Sequence, residues 1–340
     1  MLPAPPDLAG STTVRAPERP EPGYWAGCPG IHYEADRDRF LLTYRERRPR
    51  GVGGGADGGQ DRGWRCAVAE STDGVEFRDL WSVERAELGS PSMERFALRR
   101  DGDQYLLYLS YVDPADNRWR VDAVRAPSPD AFDLAARTPV LTATSTGTEG
   151  VKDPYLLEHG GAVHLFATVS RARAFTPEER ALAHADADIH TTGLTVQPTA
   201  LAVSPSGDGL GFSAPAGQGA EVLDVGSGWD AYEARITAVL PDGTGGWLAL
   251  YDGSADAAGN YEERCGLATS RDLRHWRRLT EGGPWLGSGV RYADVVAARG
   301  RWYLYYEQTR PDGAHELRVA VLDEFAGLRP PHPQDGPDRP

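Results

Sequence analysis

Trp302-Tyr303-Leu304-Tyr305-Tyr306 is the stretch that decides the fold, because four similar apolar runs, most of them rich in aromatic residues, precede it. Each run follows a turn that contains Asp or Gly, and such runs between turn signals are typical of β-strands. We interpret the five runs as the second strands of a repeated unit. They occupy residues 40–44, 105–109, 163–167, 247–251 and 302–306.

A shorter segment with polar residues at its start precedes each run. We interpret these segments as first strands, which begin near residues 28–31, 92–95, 152–155, 232–235 and 291–294. Third strands are predicted after the runs, at residues 64–71, 119–126, 200–204, 263–270 and 316–322. Short outer strands are expected near residues 80–83 and 140–142. A repeat length of roughly 50 to 85 residues is typical of four-stranded propeller blades.

The repeat predicts an all-β fold, a five-bladed β-propeller with four-stranded antiparallel blades. The fifth unit lacks an outer strand before the C-terminal tail. We therefore expect the N-terminal arm around residues 11–14 to complete this blade and to close the ring. The predicted organisation is an N-terminal arm at 1–22, a propeller domain at 23–327 and a flexible tail at 328–340.

Composition and charge exclude several classes of partner. The formal net charge is −14, whereas binding of nucleic-acid phosphates requires clustered Lys and Arg. No stretch approaches the roughly 20 apolar residues of a membrane span. The three cysteines form an odd, sparse set that fits a reducing compartment, and the N-terminus does not have the pattern of a secretory signal. A cytoplasmic protein with a small-molecule partner is expected, with no nucleic acid and no membrane.

The polar starts of the first strands provide the candidate catalytic groups. Strands alternate in direction within a blade, so these starts share one face with the loops between second and third strands and converge on one pocket. The carboxylates there are Glu94, Asp153, Glu233 and Asp294. Cleavage of a glycosidic bond requires a proton donor with a raised pKa and a second carboxylate as base or nucleophile. A third charged neighbour can set the donor's pKa.

Two short motifs carry a resemblance to a known family. The chain over residues 25–322 resembles the five-bladed propeller glycoside hydrolases, chiefly family 43 and its relatives. The resemblance implies an Asp before Pro in the first blade as base, an Asp on the third blade as pKa modulator and a Glu on the fourth blade as acid. Val151-Lys152-Asp153-Pro154 is similar to the modulator motif, and Tyr232-Glu233-Ala234-Arg235 is similar to the setting of the acid.

The first blade departs from the family pattern, because Cys28 precedes Pro29 where the family has its base. Cysteine is a poor general base for water, and its thiolate would be a different nucleophile. Glu94 on the second blade lies on the same face and can replace the missing group. The hypothesis is that Glu233 is the acid, Asp153 tunes its pKa and Glu94 is the base.

The residues expected to bind substrate lie around the same mouth. Arg95, Arg235 and Arg291, with Lys152 beside them, predict a cationic lining, so the ligand is expected to carry an anionic group such as a uronate or a sugar phosphate. Tyrosines recur at the loop-facing end of the second strands, and Tyr251 is taken from this set. The other predicted substrate-binding residues are Tyr292, Asp294, Glu263 and His315.

Other activities stay open at this point. The main rival is a non-hydrolytic enzyme on the same scaffold, such as an isomerase, a lyase or a cyclase of a specialised pathway, and the missing Asp-Pro favours it. A third interpretation is a carbohydrate-binding propeller without turnover. No metal-ligand or cofactor-binding motif is recognised in the sequence, so neither a metal nor a cofactor is expected. Thr176, Pro177 and Glu179 form the start signal of a short helix predicted over residues 176–186. His190 follows this helix and can approach the central channel, but a lone His is more often structural.

Overall fold

The computed structural model describes residues 2–49, 62–185, 188–213, 220–287 and 289–331. Within these ranges the chain forms twenty β-strands and two short α-helices. The predicted all-β fold is therefore confirmed.

The strands in chain order are β1 (Thr12–Arg15), β2 (Trp25–Glu34), β3 (Arg39–Arg47), β4 (Gly63–Ser71), β5 (Arg78–Glu84), β6 (Ala97–Asp101), β7 (Gln104–Asp113), β8 (Arg118–Ala126), β9 (Thr138–Leu141), β10 (Gly150–His159), β11 (Ala162–Ser170), β12 (Thr199–Ser204), β13 (Glu221–Leu223), β14 (Glu233–Pro241), β15 (Trp247–Ser254), β16 (Arg264–Ser270), β17 (Trp276–Arg278), β18 (Val290–Ala298), β19 (Arg301–Thr309) and β20 (His315–Leu322). The helices are α1 (Ala143–Thr146) and α2 (Pro177–Ala183), with 3-10 turns at Arg85–Leu88, Leu134–Ala136 and Ile189–Thr191.

The strands assemble into four-stranded antiparallel groups. Group two is β6-β7-β8-β9, group three is β10-β11-β12-β13 and group four is β14-β15-β16-β17. The remaining eight strands form one sheet, which contains group one (β2-β3-β4-β5) and group five (β18-β19-β20-β1). A single parallel pair, Trp25 opposite His315, joins these two groups. The two ends of the described chain therefore meet in one sheet.

Strand β1 is the outer strand of group five. It pairs antiparallel with β20, with Thr12 opposite Val319 and Thr13 opposite Arg318. Ser11, just before it, accepts hydrogen bonds through Oγ from Tyr306 at 2.8 Å and from Arg318 at 2.9 Å. The predicted arm residues 11–14 thus lie beside group five.

Apolar clusters lie between neighbouring groups. One cluster packs Leu41 and Val68 of group one against Leu107 of group two. Similar clusters join groups two and three, three and four, and four and five. A further cluster joins group five to group one and includes Phe40 and Tyr303, whose ring centroids are 4.8 Å apart. Since the aromatic second-strand residues face these interfaces, they supply the packing between groups.

Some predicted element boundaries need correction. The first strand of group two was expected near residues 92–95, but β6 begins at Ala97 and only an isolated bridge joins Met93 to Tyr111. The reason is that Arg95 N–H donates to Asp153 of group three, 3.2 Å away, instead of extending the ladder. Of the tail expected at 328–340, residues 332–340 lie outside the described residues.

Helix α2 forms where its start signal predicts. Thr176 Oγ1 accepts a hydrogen bond from Glu179 N–H at 3.2 Å, and the Glu179 carboxylate accepts one from Thr176 N–H at 2.9 Å. This reciprocal pair satisfies two main-chain donors of the first turn. None of the helices in the described ranges is long and apolar enough to cross a membrane.

Candidate active site

The starts of the inner strands meet residues in or next to the second and third strands in a buried set of side chains, all charged except one tyrosine, that is drawn from all five groups. Contacts between groups join them into one connected set. We call it the central cluster, and its members are Arg45, Glu94, Lys152, Asp153, Glu233, Arg235, Glu263, Arg291, Tyr292 and Glu307. Glu94 keeps 12% of its side chain exposed, and the others are buried. Glu94 is therefore the member nearest to solvent.

The same backbone irregularity shapes three inner strands. Cys28, Asp153 and Tyr292 have left-handed φ angles of 51°, 57° and 51°, a conformation that costs a non-glycine residue about 1–3 kcal/mol. The pairing register shifts at each of them, which is the signature of a β-bulge, and bulges redirect side chains near functional sites. Cys28 in group one thus occupies the backbone position that Asp153 occupies in group three. The shifts fall between Gly27 and Gly30, Lys152 and Tyr155, and Arg291 and Asp294.

Asp153 links several members of the central cluster. One of its carboxylate oxygens accepts the hydrogen bond from Arg95 N–H. The other accepts from Arg235 Nη1 at 3.2 Å and from the Tyr292 hydroxyl at 3.3 Å, and Lys152 Nζ lies 3.6 Å from it. A fully buried carboxylate with these neighbours is placed to influence the charge of every group around it.

Glu233 is the first residue of β14 and is fully buried. Its Oε1 lies 2.7 Å from Arg235 Nη1, but neither carboxylate oxygen has a hydrogen-bond partner of good geometry among the described residues. Burial raises the pKa of Glu233 to about 8 against the opposing effect of Arg235, and the negative charge of Glu263 adds to the rise. The carboxyl group is therefore protonated at neutral pH and can donate a proton.

Glu94 has the opposite electrostatic setting. Its Oε2 is paired with Arg45 Nη1 and accepts a hydrogen bond from the Tyr292 hydroxyl at 3.2 Å. Burial acts to raise the pKa of Glu94, but the positive charges of Arg45 and Lys152 hold that pKa well below its ordinary value. Glu94 is therefore ionised at neutral pH. The Tyr292 hydroxyl contacts both Glu94 and Asp153, and Arg235 contacts both Asp153 and Glu233, so the three carboxyl groups form one chain of contacts.

Cys28 lies beside this chain. Its N–H donates to Glu307 Oε2 at 3.1 Å, and its Sγ lies 3.6 Å from Glu94 Oε2. Burial raises the pKa of the Cys28 thiol well above its ordinary value; the positive charge of Arg45 opposes this rise, and the carboxylates Glu94 and Glu307 add to it. The thiol is protonated at neutral pH, so it does not replace a blade-one carboxylate as base.

The three predicted arginines lie in or beside the central cluster, but each is paired with protein carboxylates. Arg95 Nη2 lies 2.7 Å from Asp294, and Arg235 contacts Glu233, Asp153, Asp252 and Glu263 within 3.3 Å. Arg291 is paired with Glu263 and lies 2.9 Å from Glu307. Their positive charges are therefore balanced within the protein.

The other predicted binding residues fall at different depths. Glu263 and Tyr292 belong to the central cluster, and Asp294 accepts a hydrogen bond from Ile31 N–H at 3.1 Å in addition to its pairing with Arg95. His315 Nδ1 lies 2.7 Å from Glu307, and its ring stacks on Trp25 at 4.2 Å. Both are buried supports of the site. Their roles in binding stay predictions.

The placement of Tyr251 in the pocket is wrong. Its hydroxyl donates to Asp230 at 3.1 Å and its ring stacks on Trp229, away from the central cluster. Successive side chains of a strand point to opposite faces. The next residue, Asp252, therefore faces the centre, where its Oδ2 lies 2.8 Å from Arg235.

The same one-residue offset explains which site residues the sequence reasoning missed. The loop-facing tyrosines Tyr44 and Tyr306 bond outer-strand partners, Asp79 and Ser11. The residues that follow them, Arg45 and Glu307, belong to the central cluster. The missed residues are Arg45 and Asp252, and each is the charged residue that directly follows an aromatic run, as Glu307 also is.

No group of three or more His, Cys, Asp or Glu side chains suited to a metal ion occurs within the described ranges. The cluster's carboxylates are instead matched by guanidinium and ammonium groups. Chemically, the arrangement offers a protonated carboxyl group, an ionised carboxylate that reaches solvent and a third carboxylate between them.

Comparison with known proteins adds the fold. No protein-family model matches the chain. No curated protein sequence matches it at a significant level. Solved structures do match: a thermostable family-43 glycoside hydrolase has a TM-score of 0.64 at 14% identity, over 97% of this chain and 100% of that chain.

Two further structures have similar values. The GH43_1 enzyme from Xanthomonas citri complexed with xylose gives a TM-score of 0.60 at 14% identity, over 94% of this chain and 93% of that chain. The other is a structure from the GH130 family of mannoside phosphorylases, a family that contains glycoside hydrolases that target β-1,2 mannosidic linkages in Candida mannan. It gives a TM-score of 0.60 at 15% identity, over 96% of this chain and 100% of that chain. The chain therefore has the β-propeller-like fold of family-43 and related glycoside hydrolases.

Proposed function

We propose that the chain is a five-bladed β-propeller whose ring is closed by β1 and that it is a glycoside hydrolase-like enzyme. The number of blades is supported by the apolar clusters, which join group one to two and so on to group five, and then group five to one. The polar starts of the inner strands lie around the axis of such a ring. A substrate would enter there.

The proposed reaction is carboxylate acid/base catalysis on a sugar-containing small molecule. Glu233 donates its proton to the glycosidic oxygen as the bond from the anomeric carbon to that oxygen breaks. Glu94 takes a proton from a water molecule, whose oxygen forms the new bond to the anomeric carbon. Asp153, in contact with Tyr292 and Arg235, keeps negative charge near Glu233 and so helps to hold its proton.

One observation carries this proposal: two carboxyl groups in one connected cluster have pKa values displaced in opposite directions. Burial raises the pKa of Glu233 to about 8, while Arg45 and Lys152 keep the pKa of Glu94 well below its ordinary range. Pairs of this kind identify an acid and a base that work together at neutral pH. The exposure of Glu94 agrees with its role, since a base for water must reach solvent.

An anionic group on the substrate is the second part of the proposal. Because Arg95, Arg235 and Arg291 are balanced by carboxylates, Arg47 is the better candidate to receive it. Arg47 is buried between the rings of Trp25 and Tyr261, at 3.8 and 4.4 Å from their centroids. No carboxylate of the described residues forms an ion pair with it.

The rival activities are kept because Cys28 stands where the family base would be. A non-hydrolytic isomerase, lyase or cyclase could use the same acid and base without activating water, and a carbohydrate-binding propeller would need neither. A cytoplasmic location and independence of metals or cofactors likewise stay predictions from the sequence.

The test is a turnover screen with nitrophenyl glycosides of neutral sugars and of sugar acids. We expect hydrolysis by the native chain and a loss of at least about 10²-fold in the Glu233→Gln and Glu94→Gln variants. Glu281→Gln, the same change at an exposed position, serves as the matched control. Unchanged turnover in both site variants would exclude the acid/base assignment. Binding without turnover in the native chain would favour the binding propeller.

A further inference from the structure

Of the buried polar atoms that lack a hydrogen-bond partner among the described residues, several belong to three side chains near Glu233. Both ring nitrogens of His190, the hydroxyl of Ser254 and the amide oxygen of Asn260 find no hydrogen-bond partner among the described residues. All three residues are more than nine-tenths buried. Buried polar groups are normally paired, so this concentration beside Glu233, whose carboxylate oxygens are in the same situation, calls for a ligand.

His190 is fixed in place by its main chain. Its carbonyl oxygen accepts hydrogen bonds from the Tyr232 hydroxyl at 2.8 Å and from Asn260 Nδ2 at 3.0 Å. These bonds tie the turn Ile189–Thr191 to the residue that immediately precedes Glu233. These bonds use only the main chain of His190 and leave its imidazole uninvolved.

The imidazole of His190 lies edge-on to Trp119, with ring centroids 6.3 Å apart, and Lys152 Nζ lies 5.5 Å from the centroid of the same indole ring. Burial lowers the pKa of His190 well below its ordinary value, and the positive charge of Lys152 adds to this effect while Glu94 opposes it. A neutral imidazole offers one donor and one acceptor. Trp119 belongs to group two and Lys152 to group three, so the ring lies between these two groups, one side chain away from the central cluster.

Ser254 lies on the same face of the sheet as Glu233. The two residues are directly opposite each other in the β14–β15 pair, and side chains opposite each other in an antiparallel pair are close neighbours. Asp252, two residues earlier on β15, contacts Arg235, which places this face of the strand toward the central cluster. Its hydroxyl is therefore beside the carboxyl group proposed as acid.

We propose that His190, Ser254 and Asn260 form a hydroxyl-binding subsite that takes the ring of a neutral sugar unit against Glu233. The inference rests on the proposed function for its place in the reaction. These three side chains and the Glu233 carboxyl group offer both donors and acceptors, which matches the vicinal hydroxyl groups of a sugar ring. An anionic group fits less well, because Asn260 Oδ1 is an acceptor and the nearby cations Lys152 and Arg235 are paired with carboxylates.

The experiment measures binding and not turnover. The full chain is titrated, by calorimetry or by ligand-observed NMR, with a panel of neutral monosaccharides (D-xylose, L-arabinose, D-mannose, D-galactose, D-glucose) and with the uronates of the last two. We expect saturable binding of at least one neutral sugar. Ser254→Ala and His190→Phe should each weaken it by about tenfold, the value of one lost hydrogen bond to a ligand hydroxyl.

Two controls separate binding from folding. His159→Phe makes the same replacement at an exposed position on the far end of β10 and should leave the affinity within about twofold of native. Ser254→Ala removes a single oxygen, so it reports even if His190→Phe fails to fold. The inference is overturned if no neutral sugar binds, if only uronates bind, or if Ser254→Ala binds as tightly as native.

These experiments distinguish a failure of the subsite from a failure of the proposed hydrolase activity. Glu233→Gln should abolish turnover and keep sugar binding. Binding that depends on Ser254 in a chain that hydrolyses no glycoside would support the subsite and refute the hydrolase. Turnover that is unchanged by Ser254→Ala and His190→Phe would support the hydrolase and refute the subsite.

Discussion

Replacement of Glu233 by Gln should remove a pH dependence of stability as well as activity. The folded-state pKa of Glu233 is about 8 because of burial, against an ordinary value of 4.5. The folded chain therefore holds this proton more tightly than the unfolded chain. Its contribution to stability is fully present below about pH 4.5 and is lost as the pH rises through about 8.

The size of the effect follows from the same two values. One pKa unit corresponds to about 1.4 kcal/mol. Between pH 6 and pH 9, Glu233 should lower the free energy of unfolding of the native chain by about 3 kcal/mol. Glutamine has nearly the same shape and does not titrate. Its presence should also be tolerated by Arg235, which keeps contacts with Asp153, Asp252 and Glu263.

The assay is urea unfolding of the native chain and of Glu233→Gln at pH 6, 7.5 and 9. Relative to the native chain, the free energy of unfolding of the variant should rise by about 3 kcal/mol from pH 6 to pH 9, because all other titrating groups are common to both. Glu281→Gln provides the baseline for loss of an exposed carboxylate. Parallel pH curves for native and Glu233→Gln would mean that Glu233 titrates normally in the fold, and the proton-donor role would then have to be abandoned.

Four more outcomes follow from the structure. Cys28→Ser should keep turnover within about threefold of native, since the buried thiol is protonated; abolished hydrolysis would make Cys28 a nucleophile. Tyr251→Phe should cost about 1 kcal/mol in urea unfolding, through the lost hydrogen bond to Asp230, without changing KM; a raised KM would return Tyr251 to the pocket. Val14→Asp should cost about 3 kcal/mol, because it puts a charge into the cluster that joins groups five and one; an unchanged Tm would argue against a ring closed by β1. Arg47→Gln should raise KM about tenfold for sugar-acid glycosides and not for neutral ones; equal effects on both would refute anion recognition there.

The sequence predicts the strands well because the core is built from local patterns. Each aromatic run falls within a second strand, from Arg39–Arg47 to Arg301–Thr309. The outer strand Thr12–Arg15 could be placed because group five had an unfilled edge. The start of the first strand in group two was misplaced, because the N–H of Arg95 is used by a carboxylate from another group, and no local pattern encodes that contact.

The candidate site is predictable only in part. Glu94, Asp153 and Glu233 do lie in one set of contacts, since strand direction alone brings their ends together. Of two neighbouring residues in a strand, only one faces the centre, and the register of the strand decides which. Tyr251 was predicted there, but its neighbour Asp252 faces the centre instead. The pairing of the arginines with carboxylates depends on contacts between groups far apart in the chain. So does the burial that leaves the ring nitrogens of His190 without a hydrogen-bond partner among the described residues.

The shared left-handed conformation at Cys28, Asp153 and Tyr292 has a consequence for how this scaffold could change its chemistry. A thiol, a carboxylate and a phenol already occupy three equivalent backbone positions, so the strained turn tolerates different reactive groups. Each position presents its side chain to a charged member of the central cluster. Exchange of the three side chains among them would permute a thiol, a carboxylate and a phenol without redesign of the strands that carry them.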